Sequence, residues 1–141
     1  MFNNEIMENN TIIKSKIGWK QLKQYHKNPP KIPFPKGIII YNKYKNHIKN
    51  IDNIFNFLLN YLFKNNDFYI IKNADFPYYV SDYITHKIIW FNPKFYENIN
   101  IDYLFVDKLL KKYKKYIVFQ NIFNNRSIKN IIHFHFFILN I

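Results

Sequence analysis

A chain of 141 residues has room for one domain and not for two. Hydrophobic residues at 48% and aromatics at 21% suffice to fill a core, which excludes a chain disordered throughout despite its many Asn and Lys residues. A net charge of +12 draws polyanions, while the lack of cysteine excludes disulfides, thiolate catalysis and cysteine zinc sites.

Of the 21 basic residues only Arg126 is arginine. Arginine supplies the bidentate phosphate and base contacts used in sequence-specific nucleic-acid recognition, so the charge implies nucleic-acid contact of a non-specific kind at most. The excess of Lys, Asn, Ile, Phe and Tyr is also the set that AT-rich codons encode, and a functional patch and coding drift are two readings of the same charge. No apolar run reaches the roughly 18 residues that a membrane span needs. The first ten residues carry two glutamates and neither a signal-peptide core nor an arginine-rich amphipathic pattern, so the expected location is the cytoplasm, the host cytoplasm if the chain is viral.

In chain order, residues 1–15 are polar and read as a flexible N-terminus ahead of one domain over 16–141. Ile17, Trp19 and Leu22 suit a short helix that ends before Pro29 and Pro30, and four prolines between Asn28 and Lys36 make an extended connector. Gly37 to Tyr41 reads as a strand or an entry turn. Ile48, Ile51, Ile54, Phe55, Leu58, Leu59 and Leu62 recur at helical spacing and predict one core-packing helix. Asn65-Asn66-Asp67 is a turn signal, followed by strands over Phe68–Lys72 and Tyr83–Phe91, the second closed by Asn92-Pro93.

Leu104, Phe105, Leu109 and Tyr113 predict a helix from about Ile101 to Lys115, with Lys111, Lys112, Lys114 and Lys115 in its last turn, where the helix dipole favours cations. Tyr116–Gln120 and Ile131–Leu139 are the last strands, with a polar loop from Asn121 to Asn130 between them. The sum is an α+β single domain: a mainly antiparallel sheet of four or five strands packed by two or three helices.

Chemistry concentrates near the end of the chain. Strand alternation in Ile131-Ile132-His133-Phe134-His135-Phe136-Phe137 places His133 and His135 on one face, roughly 6–7 Å apart. Unperturbed imidazoles titrate near 6.5, so the pair could supply a nucleophile, a base, metal ligands or phosphate contacts; equally, both could be satisfied histidines of a half-buried sheet. Asn121, Arg126 and Ser127 in the preceding loop are groups that hold a phosphate. A metal would need further ligands from His86, His47, His26 or Asp75, none at diagnostic spacing, so no metal and no cofactor is expected. The two glycines stand alone, which excludes the phosphate-cradling loops of dinucleotide-binding and Walker types.

Asn73-Ala74-Asp75-Phe76-Pro77-Tyr78, Ile84-Thr85-His86-Lys87-Ile88-Ile89-Trp90, Phe119-Gln120-Asn121, Arg126-Ser127-Ile128 and Ile132-His133-Phe134-His135-Phe136-Phe137 resemble, in order and spacing, the N-acetylglucosamine-induced protein family. The likeness covers about residues 68–139, with Ala74 inserted where that family runs Asn directly into Asp. It implies a protein of unknown function whose relatives include fungal and large-DNA-virus members. The order Asn121, Ser127-Ile128, His133 and His135 is more distantly similar to the histidine-triad nucleotide hydrolases and transferases. That likeness implies His135 as nucleophile, His133 orienting it, and Asn121 and Ser127 facing phosphate. Phe137 stands where the third histidine would be, and Asn130, Ile131 and Ile132 lengthen the Ser-to-His spacing.

Together these readings give an uncharacterised protein that binds or slowly hydrolyses a phosphorylated small molecule or nucleotide, with His86 also at the site. If the chain is an enzyme, it is a nucleotide phosphohydrolase or transferase. The alternative is a non-enzymatic basic protein on RNA or a protein assembly such as a ribosome or virion, with structural histidines.

Overall fold

The computed structural model of the chain describes residues 6–8, 11–13, 16–31, 38–49, 53–96, 98–126, 128 and 130–140. Near the N-terminus, within the stretch 1–15, β1 (Ile6–Glu8) and β2 (Thr11–Ile13) pair antiparallel. A short helix, α1 (Trp19–Leu22), begins where the Gly18 N–H donates to Gln21 Oε1 at 3.1 Å and continues as a 3-10 turn over Lys23–Tyr25.

Two helices follow, α2 (Ile38–Lys49) and α3 (Ile54–Leu62). The region expected as a strand or turn is thus helical from Ile38 to Tyr41, the β-propensity of three isoleucines yielding to a helix that runs on to Lys49. Gly37 lies outside the described residues, as does Ile51. The single helix expected over Ile48–Leu62 is divided. Asn53 is extended, and its side chain accepts the Asn56 N–H at 3.1 Å, so it starts a new helix rather than continuing the old one.

The main sheet has four strands in the order β3-β4-β6-β5, each pair antiparallel: β3 (Tyr69–Asn73), β4 (Ile84–Phe91), β5 (Tyr116–Phe119) and β6 (His133–Leu139). Between β4 and β5 lie a 3-10 turn over Pro93–Phe95 and the helix α4 (Tyr103–Leu109), whose N-cap Asp102 accepts the Phe105 N–H at 2.9 Å. This helix stops well before Lys115. Leu110 and Tyr113 both turn into the core, and Tyr113 N–H closes a turn on the Leu110 carbonyl at 2.9 Å. Lys111, Lys112, Lys114 and Lys115 therefore stand in an exposed connection, and only Lys108 occupies the last helical turn.

Alternation along β4 and β6 divides the core between two faces. Ile89, Phe91, Val118, Phe134 and Phe136 face α4, packing on Val106 and Leu110. The opposite face carries Ile84, His86, Ile88, Trp90, His133, His135, Phe137, Ile117 and Phe119. One end of that face is covered by Trp19, Leu22 and Tyr78, the other by Leu62 and Phe63 at the end of α3. Because β6 is buried on both sides, its sequence is almost continuously apolar, and the histidines are the exceptions.

Local devices hold the sheet ends. Tyr96 Oη donates to the Phe91 carbonyl at 2.8 Å and accepts the Ile132 N–H at 2.5 Å, joining the end of β4 to the approach to β6. Edge strand β5 is partly covered: its Val118 N–H donates to His26 Nδ1 at 3.2 Å, and its Val118 carbonyl accepts the Lys27 N–H at 2.6 Å. Lys27 reaches this position with a φ of 56°.

Candidate functional site

The β4–β6 register sets His135 opposite Ile88, His133 opposite Trp90, and His86 opposite Phe137. Side chains of directly paired residues share a face, so His86, His133 and His135 form one buried group, each no more than 6% exposed. Phe137, two residues beyond His135, is paired across the sheet with His86, whose ring stacks on it at 4.7 Å.

A hydrogen-bonded chain runs through the group. The Tyr78 N–H donates to His86 Nδ1 at 3.0 Å, His86 Nε2 meets His135 Nδ1 at 2.9 Å, and His135 Nε2 lies 3.3 Å from Tyr78 Oη and 3.4 Å from the Asn121 amide. Asn121 also meets Tyr78 Oη at 3.0 Å. The other end of the Asn121 carboxamide is buried and has no hydrogen-bond partner among the described residues. Tyr78 doubles back over the sheet through the loop after β3, where its ring stacks on His135 at 5.0 Å between centres.

His133 is held separately. Its Nδ1 is 2.8 Å from the Ile131 carbonyl, and its ring stacks on Trp90 at 4.4 Å. Burial pushes its pKa down to about 4, with the Arg126 charge adding to the effect and the Ile131 hydrogen bond opposing it, so His133 is neutral at pH 7.

Above these groups lies a cavity of about 340 Å³ between the sheet and helices α2 and α3. Its floor includes His86, Ile88, Trp90, His133 and His135. The helices contribute aromatic and aliphatic wall, with Tyr44 and His47 packed against Phe76 and with Phe57 stacked on Tyr61. Lys72 also lines the cavity, with its ammonium bonded to Tyr61 Oη and 3.3 Å from Asp75.

Of the residues expected at the site, His133, His135, His86 and Asn121 converge on this cavity. Arg126 stands behind Asn121, donating from Nε to the Asn121 carbonyl at 2.7 Å, and is not among the described lining residues; burial lowers its pKa from the ordinary guanidinium value. Ser127 lies outside the described residues. His26 is on the β5 edge and His47 on the cavity wall, and no group of three or more His, Asp or Glu side chains able to hold a metal occurs among the described residues.

Tyr78 and Trp90 were not among the site residues expected from the sequence, although one bonds within the histidine group and the other stacks on it. The Asp75-Phe76-Pro77-Tyr78 segment was the signal for Tyr78. The contribution of α2 had no signal, because its first turn reads as β-structure.

The chain belongs to the family described as "Protein of unknown function (DUF3605)", whose model matches residues 2–139. Among solved structures it is similar to "Crystal Structure of HTC1", with 14% sequence identity, a TM-score of 0.62, and coverage of 87% of this chain and 85% of that one. At that identity the likeness shows a shared fold. No curated protein matches the chain.

Proposed function

We propose that this protein binds a small organic molecule in the cavity between the sheet and helices α2 and α3, with a nucleotide or related phosphorylated compound as the ligand class. One observation carries the reading: buried polar groups, His86, His133, His135, Asn121 and Tyr78, converge at one end of a cavity of about 340 Å³ whose other walls are largely apolar. Ligand pockets of roughly 300–1,000 Å³ have this composition, apolar walls for affinity and a few polar groups for orientation. The order of Asn121, His133 and His135, similar to that of histidine-triad proteins, supports a nucleotide over other compounds of the same size. The cytoplasm is the proposed location, and no helix among the described residues is long and apolar enough to cross a membrane.

The hydrolytic version asks His135 to attack phosphorus through a ring nitrogen lone pair. Its Nδ1 is engaged by His86, so Nε2 would have to be unprotonated, and the hydrogen-bonded chain favours a proton there. Binding is therefore the better supported activity. Thermal unfolding of the purified protein with nucleosides, nucleotides and sugar phosphates tests it, because a ligand selective for the folded state at 100 times its Kd adds about 2.7 kcal/mol. The expected result is a raised Tm with at least one compound and its loss in Ala74→Trp, which fills the cavity from its wall. No shift with any compound would overturn the reading.

A second reading rests on the exposed lysines Lys108, Lys111, Lys112, Lys114 and Lys115 at the end of α4 and in the turn after it. Such a cluster suits a polyanion such as RNA. Binding to an RNA duplex that collapses between about 50 and 200 mM salt, and is weakened by neutralising these lysines, would support it.

A further inference from the structure

The two edges of the main sheet are finished differently. At the β5 edge, the Val118 N–H donates to His26 Nδ1 at 3.2 Å and the Val118 carbonyl accepts the Lys27 N–H at 2.6 Å. The opposite edge is β3, which pairs only with β4. Register and hydrogen bonds fix which backbone groups of β3 face outward. The Asn92 N–H donates to the Phe68 carbonyl at 2.8 Å, and the Ala74 N–H donates to the His86 carbonyl at 2.9 Å. Hydrogen-bonded and non-hydrogen-bonded pairs alternate along an antiparallel ladder, so Phe68, Ile70, Lys72 and Ala74 turn their backbone groups to β4. Tyr69, Ile71 and Asn73 turn theirs away from it. Among the described residues, no hydrogen bond reaches the backbone of those three.

An open edge invites pairing with another chain, and proteins commonly blunt it with a proline, a bulge or a projecting charge. β3 has none of these. Its register with β4 is one-to-one throughout and it contains no proline. Its single charged residue, Lys72, turns its ammonium onto Tyr61 Oη and lies 3.3 Å from Asp75. Tyr69 and Ile71 are only half-buried against the α4 cluster, so apolar surface flanks the free backbone groups.

We propose that β3 is a self-pairing edge: a second copy of this chain adds its own β3 antiparallel, joining two four-stranded sheets into one. The occupant follows from self-complementarity. With a two-fold axis at Ile71, Ile71 meets its counterpart and Tyr69 meets Asn73. These are the residues whose N–H and C=O groups point outward, so each pair exchanges both of its hydrogen bonds. On the opposite face Ile70 lies across from Lys72 and covers its aliphatic stem. The Lys72 ammonium stays with Tyr61 and Asp75 of its own copy, and no like charges stand opposite each other in the ladder. Apart from Lys72 the strand is uncharged and carries no charge pattern to select a foreign peptide, whereas two-fold symmetry makes each favourable match twice. Contact through one strand per copy is smaller than a standard interface, and a net charge of +12 on each copy opposes it. The expected form is a micromolar dimer that tightens as salt screens the repulsion, a response opposite in sign to that of polyanion binding.

Sedimentation velocity of the full chain over a concentration series, at about 50 and 500 mM salt, reads the association. Backbone amide exchange by NMR at both ends of the series locates it. The dimer should appear as concentration rises, more readily at high salt. The Tyr69, Ile71 and Asn73 amides should then pass from fast exchange to protection, while those of Ile70 and Lys72 stay protected throughout. Ile71→Pro removes an outward N–H that β4 does not use, and should weaken association by about tenfold or more, with circular dichroism confirming the fold. If that variant misfolds, the amide-exchange pattern of the unaltered chain decides alone. A monomer at every concentration and both salts would overturn the proposal and leave the edge to a strand from another protein. A dimer in which the three amides still exchange freely, or that a folded Ile71→Pro variant forms as tightly, would overturn it by placing the interface elsewhere.

Discussion

His133 is the residue on which pH acts most directly. Burial holds its folded-state pKa at about 4, whereas an unfolded chain titrates the same group near 6.5. The unfolded chain therefore takes up the proton first. Stability is full above about pH 6.5 and declines as the pH falls toward 4, by about 3 kcal/mol over the interval. Urea unfolding at pH 7 and pH 4.5 measures this, and His133→Gln should flatten most of the difference. Asp107 acts lower. Burial raises its pKa, but the Lys27 and Tyr116 hydrogen bonds outweigh burial and hold it below the ordinary carboxylate value, so its contribution is lost only in stronger acid. Tyr96→Phe removes a hydroxyl that accepts the Ile132 N–H and donates to the Phe91 carbonyl, and should cost about 1–3 kcal/mol by leaving both backbone groups unpaired. A destabilisation below about 0.5 kcal/mol in urea would mean that water replaces the hydroxyl.

At the scale of elements, the strands were the more legible part. β3, β4, β5 and β6 lie within one or two residues of the stretches rich in aromatic and β-branched side chains, because burial against two faces demands those residue types. Helix ends were less legible. The apolar repeat from Ile48 to Leu62 continues through the break at Asn53, and only the Asn53 side chain, by binding the Asn56 N–H, turns the repeat into two helices. The lysine run after Leu109 looked like a helical last turn until Leu110 and Tyr113 were drawn into the core. Both caps can be weighed: Asn53→Ala and Asp102→Ala should each lower stability by about 1 kcal/mol, read as a shift of the urea midpoint at constant slope. A larger loss at Asp102 is consistent with its second partner, the Asn100 side-chain amide at 3.1 Å.

For the whole molecule, the two faces of β6 divide the work. Phe134 and Phe136 anchor the sheet to α4, and Phe136→Ala, at a site with no exposure, should cost about 3–5 kcal/mol in chemical denaturation. His133 and His135 face the cavity, and ligand binding there should be nearly indifferent to salt for an uncharged compound, whereas attachment through the lysines after α4 should weaken steeply with salt. The amino-acid sequence by itself determined the α+β class, the alternation that sends both β6 histidines to one side, and the presence of Asn121 near them, because each follows from local periodicity or order along the chain. It left open what would stand opposite those histidines. That His86 takes the place next to His135, that Tyr78 folds back to orient them both, and that α2 and α3 enclose a cavity over them depend on contacts between residues up to 57 positions apart. Those contacts come from the pairing register of β4 with β6 and from the path of the loop after β3, and the tertiary structure alone decides both, since burial of the shared sheet face selects one register over its alternatives.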